Sequence, residues 1–127
     1  MKKFIEDVGV DAGMIMISDK NYYDKYESKI DTRLSRIRKM KPGIYKVNWR
    51  IVKTWNGSID GDGILKIKSG EMVVSDPCYC VGNNKWDKWL EDTEFGKYEP
   101  DGCIILSSMG GDGNYNINLD MRLMDEI

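Results

Sequence analysis

Histidine is absent from the 127-residue chain. Because histidine is the commonest general base and the commonest metal ligand in proteins, its absence weighs against most acid–base enzymes and most zinc sites. Catalysis would then depend on carboxylates whose pKa values are shifted apart. The other route is a cysteine activated by a lysine, a tyrosine or a helix N-terminus.

Cysteine and long apolar runs are also scarce. The chain has three cysteines, an odd number that disfavours a disulfide framework, and we predict free thiols at Cys78, Cys80 and Cys103. It lacks the run of about 18 apolar residues that a membrane span needs. The N-terminal residues lack the apolar core and cleavage site of a signal peptide, so we expect a protein of the reducing cytoplasm.

Charge of one sign is not in surplus either. Charged residues make up 31% of the chain, but the formal net charge is only -2. General nucleic-acid binding usually needs a basic surface, so we predict none. The length suits one domain, predicted over residues 1–127, with enough chain for one apolar core.

Three landmarks occur twice in the same order, which indicates an internal duplication. They are a turn-strand-Ser-Asp segment, an aromatic-Asp-Lys-aromatic tetrad and a Gly-Asp-Gly tripeptide. The turn-strand-Ser-Asp segment occurs at 11–19 and 68–76, the aromatic tetrad at 23–26 and 86–89, and the Gly-Asp-Gly tripeptide at 61–63 and 111–113. Because a half of about 55 residues could hardly bury its own apolar face, we predict that two halves pack around a pseudo-twofold axis. The predicted halves are about 11–67 and 68–123.

Each half is predicted to contain a strand, a loop, a helix and a hairpin. Apolar residues recur at helical spacing from about Asn21 to Lys39, and a shorter helix is predicted from Lys85 to about Glu94. Apolar or alternating segments predict strands at 14–17, 44–55, 64–67, 72–74, 103–106 and 114–123. The expected fold class is α+β: an antiparallel sheet or open barrel of two pseudo-symmetric repeats, flanked by two helices.

A turn-forming Asp76-Pro77 ends an apolar strand and brings Cys78, Tyr79 and Cys80 together. One interpretation is structural: the carboxylate caps the strand end and the thiols fill small spaces in the core. That interpretation does not explain why an aspartate recurs after Ser18, as Asp19. A zinc site would have to use the Cys-x-Cys spacing, which is poor for chelation. A nucleophilic Cys78 would need a positive field.

Two further features are candidates for contact with an anion. Gly111-Asp112-Gly113 allows close backbone approach and can aim N–H groups at a negative group, and its aspartate could instead bind a cation or accept a ribose hydroxyl bond. A tight hairpin turn is the simpler explanation of the tripeptide. Basic side chains recur on the first predicted helix. They form a solvated face, or they face the acidic helix of the other half, or they make a site for a nucleotide or an acidic protein partner. They are Lys25, Lys29, Arg33 and Arg36. Trp86 and Trp89 are candidates for an exposed aromatic platform.

The second half resembles a family of small bacterial and bacteriophage proteins of unknown function. The shared features are Gly70-x5-Asp76-Pro77-Cys78-Tyr79, then Trp86, then Gly111-Asp112-Gly113 followed by an aromatic-rich strand with Tyr115. In that family a strand ends in Asp-Pro-Cys-Tyr, a tryptophan follows soon after, and Gly-Asp-Gly comes later.

The first half resembles a second opening found in the same group, with Asp11-Ala12-Gly13 before its strand. It departs from the pattern by having Lys20-Asn21-Tyr22 in place of Pro-Cys-Tyr. The resemblance covers roughly residues 9–118. It implies an accessory protein of a phage or mobile element, located in the bacterial host cytoplasm, that acts by binding rather than by catalysis.

We therefore predict a non-enzymatic binding protein without cofactor or metal. Its partner would be a small anion such as a nucleotide signal, or a host protein, and a homodimer is left open. The predicted site residues are Asp19, Lys25, Lys29, Arg33, Asp76, Cys78, Tyr79, Trp86, Gly111, Asp112 and Gly113. Two alternatives stay open: a metal- or cysteine-dependent hydrolase, and a structural or oligomeric phage component.

Overall fold

A computed structural model describes residues 1–54, 57–94, 103–106 and 111–126 of the chain. Within these ranges the chain forms eight strands and one α-helix. The strands are β1 (Lys2–Val10), β2 (Ile15–Asp19), β3 (Arg36–Lys39), β4 (Gly43–Thr54), β5 (Gly57–Ile67), β6 (Glu71–Ser75), β7 (Cys103–Leu106) and β8 (Gly113–Glu126). The α-helix, α1, is Trp86–Glu94, and short 3-10 helices cover Lys20–Tyr26, Pro77–Tyr79 and Asn83–Lys85. Trp55 and Asn56, at the predicted end of one strand and its turn, lie outside the described residues.

The strands form two four-stranded antiparallel sheets. The first sheet has the order β1-β8-β4-β5 and the second has the order β3-β6-β2-β7. One apolar core contains side chains from both sheets, so the sheets pack face to face as a sandwich. The predicted α+β class, with two repeats of strand, helix and hairpin and two flanking helices, is wrong. The chain is mostly β.

The strand order has an internal symmetry. Exchanging β1 with β5, β2 with β6, β3 with β7 and β4 with β8 reproduces both sheets, each read in the opposite direction. All six strand pairings join a strand of β1–β4 to a strand of β5–β8. The symmetric units therefore begin at β1 and at β5, whereas the sequence landmarks begin at residues 11 and 68.

The core between the sheets is built from alternate residues of the strands, as the pleat requires. Tyr45 and Tyr115 stand at corresponding positions near the start of β4 and β8, and both are buried. The Tyr45 hydroxyl donates to the carbonyl of Lys41, and the Tyr115 hydroxyl donates to the carbonyl of Gly111 at 2.7 Å. Such a tyrosine corner fastens the entry to a strand in other β-sandwiches.

A second apolar cluster covers the outer face of the second sheet. There the 3-10 helix Lys20–Tyr26 and α1 pack Tyr23, Tyr26 and Trp89 against the sheet. The second sheet is therefore buried on both faces, and all five residues of β2 are buried. In the described part of the chain, no helix is long and apolar enough to cross a membrane.

The predicted helix from Asn21 to Lys39 is wrong beyond Tyr26. Glu27 has a left-handed backbone conformation with φ of 54°, which ends the helical segment. The N–H groups of Lys29 and Asp31 then donate to the carbonyls of Cys80 and Tyr79, both at 2.9 Å. These backbone donors are used between segments, so a continuous helix does not form before β3.

The first Gly-Asp-Gly tripeptide lies inside β5 and does not form a turn. Gly61 is paired with Trp49 of β4, and a Cβ added at Gly61 would stand 2.4 Å from the indole Cζ2 atom. The glycine therefore leaves room for the neighbouring indole, a close-packing role that the tripeptide alone does not indicate.

Candidate functional site

Asp76 directly follows β6, and its carboxylate is fully buried. One carboxylate oxygen accepts hydrogen bonds from the N–H groups of Asp11 at 2.8 Å and Ala12 at 2.6 Å. The other accepts from the N–H of Cys78 at 3.0 Å and so caps the 3-10 helix Pro77–Tyr79. The carboxylate therefore fastens the turn between β1 and β2 to the end of β6.

Asp19 makes the corresponding contact at the end of β2. Its carboxylate accepts from the Ser69 N–H at 3.1 Å and from the Ser69 hydroxyl, in the turn between β5 and β6. Because β2 and β6 are antiparallel neighbours, with Asp19 paired to Met72 and Met16 to Ser75, the two aspartates lie at opposite ends of the pair. The predicted site residues are therefore divided between two ends of the second sheet.

The Asp76 end also includes Tyr79 and the predicted Gly111–Gly113 loop. Gly113 pairs with Val10 beside the turn that Asp76 holds. Burial and the neighbouring Cys78, Asp11, Asp76 and Asp112 groups raise the pKa of the Tyr79 hydroxyl. Asp112 of the loop acts electrostatically on Tyr79 of the Asp-Pro turn, and the charged groups that act on Tyr79 are carboxylates. This end of the molecule is thus poorly suited to an anion.

Cys78 is half-buried beside Asp76, and burial, followed by the carboxylate of Asp76, raises the pKa of its thiol to about 12. We expect iodoacetamide to alkylate Cys78 in the folded protein at pH 8 about a hundredfold more slowly than in denaturant, because only the thiolate attacks. Peptide mapping by mass spectrometry would measure both rates. Equal rates in the two states would contradict this assignment.

The raised pKa of the Cys78 thiol also affects the stability of the protein at alkaline pH. The folded-state pKa of Cys78 lies above the ordinary value of 9.0, so the folded state favours the neutral thiol. The stability that the neutral Cys78 thiol adds to the folded state is fully present below about pH 9 and is lost as the pH rises towards 12.

The other two thiols lie in the second apolar cluster. Cys80 and Cys103 are buried, and the Cys80 sulfur lies 3.8 Å from the Ser35 hydroxyl, which in turn bonds Ser75 at 2.6 Å. In the described ranges, no group of three or more histidine, cysteine, aspartate or glutamate side chains is arranged to hold a metal ion. The cysteine positions fit a packing role.

A lysine-lined cleft lies at the Asp19 end of the sheet. This lysine cleft has a volume of about 260 Å³. Its lining residues are Asp19, Asn21, Tyr22, Asp24, Lys25, Lys66 and Lys68. It brings together two predicted site residues, Asp19 and Lys25. Lys66 and Lys68 also line the cleft and are not among the predicted site residues, although their alternation around the end of β5 places both on one face of the strand.

The lysines of this cleft are available to a ligand. None of Lys25, Lys66 and Lys68 forms an ion pair with another described residue. The Lys25 ammonium stands 5.3 Å from the ring centroids of both Tyr22 and Tyr26, a cation–π arrangement that restricts its position. Three ammonium groups therefore share the cleft with the carboxylates of Asp19 and Asp24.

The remaining predicted site residues lie outside the lysine cleft. Lys29 donates to the Asn83 side chain at 2.7 Å, and Arg33 pairs with Asp31 at 3.0 Å. Trp86 stacks on the buried Trp89, with ring centroids 5.2 Å apart. The basic residues of the first predicted helix therefore do not share one face, because no helix continues beyond Tyr26 to align them.

Comparison with known proteins gives no relative from which a function could be inferred. No family model, no curated protein and no solved structure matches the chain. The resemblance to small phage and bacterial proteins therefore stays a prediction.

Proposed function

We propose that this chain is a non-enzymatic protein that binds a small phosphate-bearing anion in the lysine cleft. The observation that carries the proposal is the convergence of Lys25, Lys66 and Lys68, without ion-pair partners among the described residues, on one cleft of about 260 Å³. Lysine ammonium groups bind phosphate oxygens through charge-assisted hydrogen bonds.

The size of the cleft favours a phosphate or diphosphate group over a whole enclosed nucleotide. Pockets that enclose drug-sized ligands usually have volumes of about 300–1,000 Å³. A nucleotide would therefore insert its phosphates among the lysines and leave its base outside. The Asn21 amide at the rim adds donors for the same oxygens.

The carboxylates in the cleft affect which anion binds. Asp19 is nearly buried and already accepts two hydrogen bonds from Ser69, so it supports the wall of the cleft. Asp24 is exposed and repels anions. With three cations opposed by two carboxylates, a singly charged carboxylate ligand gains little, whereas a phosphate carrying up to two negative charges gains more.

The biological setting belongs to the same proposal. The sequence resemblance supports an accessory protein of a bacteriophage that acts in the host cytoplasm. Binding without catalysis is consistent with the buried, hydrogen-bonded carboxylate of Asp76 and the raised thiol pKa of Cys78. The ligand would then be a host metabolite or signal that carries phosphate groups.

Isothermal titration with inorganic phosphate, diphosphate, ATP and GTP tests the proposal. We expect the double variant K66A/K68A to lose about 10- to 100-fold in affinity, because two charge-assisted contacts to the ligand disappear from a partly exposed site. The affinity of the wild type should also fall as salt is raised.

The matched control removes the same charge elsewhere. K85A/R122A changes two cations outside the cleft and should bind like the wild type. An equal loss of affinity in both double variants would show non-specific attraction. An absence of binding heat with all four ligands would overturn the proposed function.

A further inference from the structure

The outer face of the first sheet is open along all four strands. A shallow concavity of about 950 Å³ extends across it from β1 to β5. Two rows of outward side chains form its walls. The first row, from β1 to β5, is Lys2, Asp120, Asn48 and Asp62. The second row, in the same order of strands, is Phe4, Asn118, Arg50 and Asp60. The backbone of the row between them, which includes Gly61, forms the floor.

The charges on this face balance. Three cationic and three anionic side chains line the concavity, so its formal charge is zero. All three anions have a cationic partner: Arg50 pairs with Asp60 at 3.1 Å, Lys46, beside the concavity, pairs with Asp62 at 2.9 Å, and the N-terminal ammonium lies 3.9 Å from Asp120. Cations and anions alternate across this face, so it presents no continuous run of one sign to a nucleic acid or a strongly charged peptide. The face suits an uncharged ligand.

The middle of the face is rich in planar polar groups. Asn48 and Asn118 occupy neighbouring rows on the two central strands, next to Arg50 and Asp120. The amides supply donors and acceptors, the guanidinium supplies donors and the carboxylate supplies acceptors. Hydroxyl groups of a sugar both donate and accept hydrogen bonds, so adjacent hydroxyls match such a mixed array. A protein partner would instead favour an apolar centre that is depleted of charge.

An aromatic ring stands at one edge of the same array. Phe4 on β1 is 53% exposed and is paired with Asn118. An exposed aromatic ring offers a flat apolar surface on which the C–H face of a pyranose can pack. Four strands spaced about 4.8 Å apart span roughly 14 Å, room for two or three sugar rings.

We propose that the outer face of the first sheet binds a neutral oligosaccharide. Asn48 and Asn118 hydrogen-bond the hydroxyl groups, Arg50 and Asp120 extend the array, and Phe4 packs against a ring. The face is separate from the lysine cleft and shares no lining residue with it. The proposal therefore does not depend on the proposed function.

The probes are maltotriose, cellotriose and triacetylchitotriose, each titrated into the 15N-labelled full chain up to about 10 mM, a range that reaches weak affinities. At least one trisaccharide should shift the side-chain amide signals of Asn48 and Asn118 and leave those of Asn21 unchanged. The N48A/N118A variant should bind about 10- to 100-fold more weakly, because several hydrogen bonds are lost. F4A should weaken binding, and F4W should retain it.

The control variant N84A/N114A removes two exposed asparagines that do not line the concavity. It should bind the trisaccharide like the wild type. The proposal is overturned if no trisaccharide shifts the Asn48 and Asn118 signals. It is also overturned if those signals change with protein concentration alone, which would indicate a second copy on this face. Equal losses in N48A/N118A and N84A/N114A would likewise overturn it.

Discussion

Replacing Asp76 by alanine should lower the free energy of unfolding by about 3–5 kcal/mol, because three N–H groups lose the buried carboxylate that accepts their hydrogen bonds. The donors are the N–H groups of Asp11, Ala12 and Cys78, and the carboxylate that serves them is fully buried. Urea unfolding followed by circular dichroism would measure the change.

Two variants make the test specific. D76N keeps one carbonyl oxygen for Asp11 and Ala12 but turns an amide N–H₂ towards Cys78, so about half of the loss is expected. D19A removes an acceptor of only two hydrogen bonds, both from Ser69, and should cost about 1–2 kcal/mol. If D76A were within about 1 kcal/mol of the wild type, the fastening role of Asp76 would be wrong.

Trp89→Ala should have a comparable effect, with a loss of about 3–5 kcal/mol in the free energy of unfolding. Trp89 is fully buried on the inner face of α1, and its indole N–H donates to the Tyr22 hydroxyl at 3.1 Å. It packs in the second apolar cluster with Met16 and Val73. Removing the indole would leave a cavity and break the hydrogen bond that joins α1 to Tyr22 in the 3-10 helix. Thermal and urea unfolding would measure the loss.

Trp86 provides the matched control, because it stacks on Trp89 but is only partly buried. W86A should cost about 1–2 kcal/mol, since less area leaves water on folding. W89F should retain most of the packing and lose the hydrogen bond to Tyr22, for a cost between these two values. A larger loss in W86A than in W89A would reverse the assignment of the two rings.

Local signals in the sequence predict several strands because each depends only on its own residues. Cys103–Leu106 is a short apolar run, typical of a strand buried on both faces, and β7 has these bounds. Helix α1 is similar: the sequence predicts Lys85 to about Glu94 and the structure has Trp86–Glu94. The strand β1 is missed because its charged residues and the positive φ of Asp7 interrupt the alternation.

Long-range pairing is the part that local patterns do not determine. The apolar spacing from Asn21 to Lys39 fits a helix, yet Lys29 and Asp31 give their N–H groups to residues about fifty positions later in the chain. The lysine cleft also depends on contacts between segments that are far apart in the sequence. Lys25 is visible as a basic residue near Asp19, but Lys66 and Lys68 reach the cleft only because β5 ends beside β2.

The symmetric strand order has a consequence for how the chain folds during synthesis. Because none of the six pairings lies within β1–β4 or within β5–β8, a ribosome that has produced only β1–β4 has released no strand together with its native neighbour. The edges of β4, β3 and β2 stay unsatisfied until β5, β6 and β7 emerge, and β1 gains its neighbour only with β8. Contacts between residues far apart in the sequence slow folding, so chaperones that shield extended apolar segments would have their longest opportunity while β5–β8 are still being made.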